Sequence, residues 1–232
     1  MARTARIKAK NQIYSVVTRV NNSSFHFQNA DIATAFLDHI KIVKQKLQFK
    51  LYGFVIMSTH IHLLIQSNDE IADISEIMKH INGYFAVKFN RYHKTKGHFW
   101  MERFKSKIVQ DLSYLVNTII YFALNPVKAG IIKNPLNYKF SSINNIKDIT
   151  LFADVLDPLP PEYKKALTDF LEKERFLEII SNLATRTYLG LKYSFNLKKT
   201  KQAQIYKKFI GGYSFIKKGV LAKKIELLKN PQ

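Results

Sequence analysis

Cysteine is absent from the 232 residues. Disulfides and thiolate metal sites are thereby excluded, and any bound metal must take nitrogen and oxygen ligands. Acidic residues are scarce: 17 Asp and Glu stand against 37 Lys and Arg. The resulting net charge of +20, with a pI near 9.9, argues for a polyanionic partner, nucleic acid ahead of a membrane surface. No run reaches the ~20 apolar residues that a membrane span needs. The basic stretch Met1 to Lys10 has no apolar signal-peptide core. Together these absences predict a soluble cytoplasmic protein, nucleoid-associated and without a membrane partner. No GxxxxGK[ST] phosphate loop occurs, so nucleotide hydrolysis is not expected. What the chain does have is 47% hydrophobic and 13% aromatic residues, enough to fill a core. Its length suits one substantial domain plus an appendage.

The most informative stretch is Tyr52 to Gln66. An apolar run enters, Ser58-Thr59 interrupts it, and a second apolar run leaves carrying His60 and His62. The two runs predict an antiparallel strand pair. Side chains on a strand alternate between faces, so His60 and His62 share one face while Ile61, Leu63 and Ile65 take the other. Two imidazoles on one face can hold a divalent metal. The plainer reading is two polar residues on a half-exposed strand.

Around this pair the chain predicts β-α-β-β-α-β followed by a helix. Gln12 to Val20 alternates as a strand. Asp31 is expected to cap a helix running to about Gln48. A second helix runs from about Asp73 to Tyr92, with Gly83 inside it at a cost of roughly 1 kcal/mol against alanine unless something packs closely there. Phe99 to Gln110 has strand character, which puts Arg103 and Lys105 on one face. Asp111 caps a third helix, expected to stop near Leu124 because Pro126 follows. That helix carries Tyr121 and Asn125 one turn apart on one side. The amide oxygen of Asn125 suits Mg²⁺ or Mn²⁺, although asparagine is also common at helix ends.

His-hydrophobic-His followed by three more hydrophobic residues resembles the HUH motif of single-strand nucleases. Four further stretches extend the likeness: Tyr14 to Arg19; Gly97 to Trp100 with Arg103 to Ser106; Tyr121 to Gly130; and Tyr138 to Ser142. Together, in this order, they resemble the Y1 transposases of the IS200/IS605 type, closest to the group associated with repetitive extragenic palindromes (REP elements). The resemblance covers about residues 1 to 145. It implies an α+β fold, a ferredoxin-like antiparallel sheet with helices on one face, beside a helix bearing the nucleophile. It implies Tyr121 as that nucleophile, with His60, His62 and Asn125 as ligands of Mg²⁺ or Mn²⁺. Tyr114, two turns before Asn125, is the rival tyrosine. The implied activity is metal-dependent cleavage and rejoining of hairpin-bearing single-stranded DNA through a 5′-phosphotyrosine, by a monomer or homodimer. Two other readings share these features: a DNA-hairpin binder that does not cut, and an HUH replication initiator or relaxase. The full set of four residues favours the enzyme.

Asp157 to Pro161 looks like a linker, which divides the chain into a catalytic domain over 1–150 and a mainly helical extension over 151–232. Residues 186–232 hold 12 basic residues and 1 acidic one, interleaved with tyrosine and phenylalanine. Lysines neutralise phosphates while aromatics stack on bases. The expected DNA contacts are therefore Arg19, Lys94, Lys96, Arg103 and Lys105 in the first part, and Lys198, Lys199, Lys207 and Lys208 in the second.

Overall fold

The protein is represented by a computed structural model that describes residues 10–146 and 152–161. Lys198, Lys199, Lys207 and Lys208, with nearly all of the extension, lie outside the described residues. The elements follow the expected order. They are β1 (Ile13–Arg19), α1 (Ala30–Leu47), β2 (Lys50–Ile56), β3 (His60–Gln66), α2 (Ile74–Met78), a π-helical turn (Lys79–Tyr84), α3 (Phe85–His93), β4 (Lys105–Ile108) and α4 (Leu112–Lys128). The four strands pair antiparallel in the order β2-β3-β1-β4, the ferredoxin-like arrangement.

Strand alternation gives the sheet two unlike faces. Val16, Phe54, Ile56, Ile61, Leu63 and Ile65 point to one, where α1 and the α2–α3 segment bury Phe36, Ile40, Ile77 and Phe85 against them. Ile13, Val55 and Leu64 point to the other, where Leu115 and Phe122 of α4 cover them. α4 thus lies on the histidine face, and the remaining helices lie on the opposite one.

The free edge of β2 is closed by chain from beyond α4. The Ile56 N–H donates to Phe140 O (2.9 Å), the Phe54 N–H to Ser142 Oγ (2.9 Å) and the Leu51 N–H to Asp157 Oδ2 (2.8 Å). An unpaired edge invites pairing with another chain, so this cover has a purpose. It also accounts for the Tyr138 to Ser142 stretch. Val155 is buried in the core, and Lys44 pairs with Asp157 at 2.6 Å. Residues 152–157 therefore pack against α1 and β2.

Local expectations needed four adjustments. The cap of α1 is Asn29, whose side chain accepts the Asp31 N–H at 2.8 Å; Asp31 sits one residue inside the helix, where its charge still favours the N-terminus. α4 does not stop at Leu124. It runs through Pro126 to Lys128, because the next turn bonds past the proline (Ala129 N–H to Asn125 O, 3.0 Å). Gly130, at φ +71°, follows its end in the left-handed conformation that favours glycine. The second helix is continuous only through its π-helical turn. Finally, only residues 105–108 of the Phe99 to Gln110 stretch form a strand. Arg103 lies in the preceding bend, so it does not share a strand face with Lys105.

Candidate active site

His60 and His62 lie on the α4 side of β3, as their spacing predicts, with ring centroids 5.1 Å apart. In the sheet register Arg19 stands opposite His60, and Val17 and Val55 flank His62. Phe122 anchors α4 over this strand, its ring 5.3 Å from that of His62. That anchoring leaves Tyr121, one residue earlier, at the rim. Its ring stands edge-on to His62 at 5.4 Å, and 47% of the residue stays exposed. The structure thus joins Tyr121 and the histidine pair, which are far apart in sequence. Tyr114, the rival, is half-buried and packs with the apolar cluster under α4.

Asn125 lies one turn on and is buried. Its Nδ2 donates to Tyr121 O at 3.0 Å, which leaves Oδ1 as the end available to a cation. Thr118, on the same side of the helix, donates its hydroxyl to Tyr114 O at 2.7 Å.

The electrostatics favour neutral imidazoles. Burial, then the neighbouring His60 and Arg19 charges, bring His62 down to about 3. Burial, then Arg19, bring His60 down to about 4. Thr59 Oγ1 meets His60 Nδ1 at 3.0 Å, which fixes the ring and turns Nε2 away from the turn. Among the described residues, His62 Nε2 is buried with no hydrogen-bond partner. A buried ring nitrogen without a partner loses its hydration for no return. A divalent ion would repay that cost, since neutral imidazole is the ligating form. The residues present therefore fit such a cation. Among the described residues no cluster of three His, Cys, Asp or Glu forms, and Asn125 Oδ1 is an amide oxygen one helical turn from Tyr121. The exposed Arg19 opposes a lone cation but suits a phosphate beside it.

The remaining predicted contacts divide by location. Lys105 pairs in register with Val17, so it shares the histidine face, although it also meets Glu102 at 2.6 Å. Lys107, opposite Ser15, is exposed on that same face. Sequence reading passed over it, yet its period-two spacing from Lys105 was the signal. Lys94 and Lys96 are exposed on the turn after α3, a helix that packs on the opposite face. Arg103 borders a cleft beside the π-helical turn. Among the described residues, no helix is long and apolar enough to cross a membrane.

Comparison with known proteins bears on the fold. The family model described as "Transposase IS200 like" matches residues 8–121, so the match ends on Tyr121 and Asn125 lies beyond it. No curated protein matches the chain. Among solved structures, a REP-associated tyrosine transposase bound to a REP hairpin has a similar fold. Its TM-score is 0.56 at 19% identity, over 68% of this chain and 92% of that one. A candidate transposase from Deinococcus radiodurans R1 aligns with a TM-score of 0.38 at 14% identity, over 50% of this chain and 98% of that one. The IS200-like transposase model thus spans residues 8–121, which hold the ferredoxin-like sheet and the histidine strand.

Proposed function

We propose that this transposase cuts and rejoins hairpin-bearing single-stranded DNA with Tyr121 as nucleophile. The observation that carries the reading is the meeting of a half-exposed Tyr121 with His62, a buried neutral imidazole whose Nε2 has no partner among the described residues. In the reaction the Tyr121 oxygen attacks the phosphorus of a phosphodiester. The Tyr–O–P bond forms, the bond from phosphorus to the 3′ oxygen breaks, and the phenolic proton passes to water. The 3′ oxygen takes up a proton and leaves as a hydroxyl, while the 5′-phosphate stays on the protein. The number of phosphodiester bonds is conserved, so attack by a 3′-hydroxyl reverses the step without an energy source.

His60, His62 and Asn125 are the residues that would hold Mg²⁺ or Mn²⁺. When bound, such an ion neutralises charge on the non-bridging phosphate oxygens. Arg19 binds the phosphate beside the histidines, and Lys105 and Lys107 guide the strand across the uncovered part of the face. A REP-associated relative has been solved with a REP hairpin, which supports a palindromic DNA hairpin as the substrate here.

A second reading, a hairpin binder that does not cut, is favoured by the lack of an acidic third ligand among the described residues. One experiment separates the two. Hairpin DNA labelled at either end is incubated with protein and Mg²⁺ or Mn²⁺, denatured, and run on a gel. Cleavage should leave the downstream fragment attached to protein through its 5′-phosphate, on the Tyr121 peptide. Shifted but uncut DNA would establish the binder.

A further inference from the structure

Gly83 lies inside a helical segment, where glycine is the least favoured residue type after proline. A close neighbour would explain it, but among the described residues a Cβ at Gly83 would meet nothing within 4 Å. Backbone conformation does not require glycine either, because its φ is not left-handed. Gly83 instead opens onto a cleft of about 510 Å³ between the π-helical turn and residues 98–104. That size falls in the ~300–1,000 Å³ range of small-ligand sites. π-helical turns are themselves frequent at functional sites.

The cleft has a fixed apolar wall and a cationic rim. Trp100 lines it, packed from behind by Phe27, Phe36 and Phe85. Its indole N–H donates to Asn82 O at 2.8 Å, and Asn82 Nδ2 in turn donates to Thr18 Oγ1 at 2.9 Å. Lys79 and Arg103 stand exposed at the rim, whereas Glu102, the rim's acid, is engaged by Lys105. The cleft lies on the α2–α3 side of the sheet and reaches the end of β1 that pairs with His60. The Met101 N–H donates to Arg19 O at 2.9 Å, and Arg19 faces His60. Planar aromatic wall, open glycine and flanking cations together fit an unstacked base with its phosphates.

We propose that this cleft receives one unstacked base of the DNA strand that passes the histidine pair, with Lys79 and Arg103 on the adjoining phosphates. The assignment rests on the reading of the protein as a single-strand DNA transposase. It explains the glycine: a side chain there would occupy the space of the base.

The test is Gly83→Leu, which fills the cleft from a position where the chain has room. The probe is a synthetic DNA hairpin with randomised single-stranded flanks, beside the same hairpin with abasic flanks. Gly83→Leu should weaken binding to the first roughly five- to hundredfold, the range of one stacked base. It should leave binding to the second unchanged, and ultraviolet cross-links to residues 98–104 should disappear. Equal affinity for the first probe, or equal weakening on both, overturns the cleft assignment. A thermal melt checks that Gly83→Leu folds. If it does not, the Lys79→Gln/Arg103→Gln double variant decides, because both side chains are exposed. Its salt slope on the first probe should fall by about 1–2, and an unchanged slope overturns the proposal. Wild-type protein that neither binds nor cuts any hairpin takes the transposase reading down as well. Normal wild-type cleavage with an unaffected Gly83→Leu removes the cleft assignment alone.

Discussion

The two faces of the sheet are packed differently. On the α1 face, Phe27, Phe36, Phe85 and Trp100 interlock around fully buried strand residues. On the α4 face, burial is uneven: Val55 and Leu64 are fully covered, and beside them lie His62 with its unpartnered nitrogen and Tyr121 at the rim. The first face is built for stability. Among the described residues both faces bury polar atoms without a partner, His39 Nδ1 and Asn82 Oδ1 on the first and His62 Nε2 on the second, and the second sets its own beside the half-exposed Tyr121.

The contrast can be broken most completely at Tyr121. Tyr121→Phe should abolish the covalent protein–DNA adduct and strand cleavage while leaving melting temperature and hairpin affinity unchanged. Tyr114→Phe should still cut. A nucleotide adduct on Tyr114 by mass spectrometry would show that the wrong tyrosine has been assigned.

The next largest effect belongs to the other face. Phe36→Ala should cost about 3–5 kcal/mol in urea unfolding, the usual range for a buried phenylalanine. A loss below about 1 kcal/mol would mean that the aromatic cluster is far more loosely packed than its contacts indicate.

His62→Leu inverts that result. It replaces an orphaned polar atom with an apolar group, so stability measured with EDTA should be unchanged or up to about 2 kcal/mol higher. Cleavage should be lost. Strong destabilisation would argue that His62 serves the fold instead of the chemistry.

pH sharpens the same point. Both histidines titrate below the ordinary value, at about 4 and about 3. Between pH 6.5 and those values the unfolded chain binds more protons than the folded one. The contribution of the pair to stability is therefore complete above about pH 6.5 and declines as pH falls toward 4 and then 3. Each proton of difference is worth at most about 1.4 kcal/mol per pH unit. Denaturation midpoints at pH 7 and pH 5, in EDTA, should fall less for His62→Leu than for wild type. Identical slopes would contradict the burial of His62.

The smallest effect should come from the exposed Lys105–Glu102 pair. Glu102→Gln should change stability by under about 1 kcal/mol, yet it frees Lys105 on the histidine face. DNA binding should tighten slightly at low salt, and the gain should fade as salt rises.

Much of this molecule was legible in the amino-acid sequence because the signals were local. Period-two alternation put His60 and His62 on one face, Ser58-Thr59 marked the hairpin, and Asp111 marked the start of α4. These features depend on neighbours a few residues away. Asn29 was missed because Asp31, two residues on, is an equally good cap by type. The length of α4 was missed because the bonds past Pro126 are not visible in a proline's local preference. Arg103 and Lys105 were split by a bend that ends strand character before Lys105.

Sequence by itself determined the order of elements, the histidine face, the basic charge and the two tyrosine candidates. Only the tertiary structure decided that α4 lies over the histidine face, that Phe122 anchors it there, and that Tyr121 consequently meets His62. It alone decided that His62 is buried enough to stay neutral, that 138–142 and Asp157 close the edge of β2, and that nothing among the described residues packs on Gly83. Each of these depends on which distant surfaces meet, and burial, proton affinity and empty space are properties of that meeting, which no stretch of sequence carries alone.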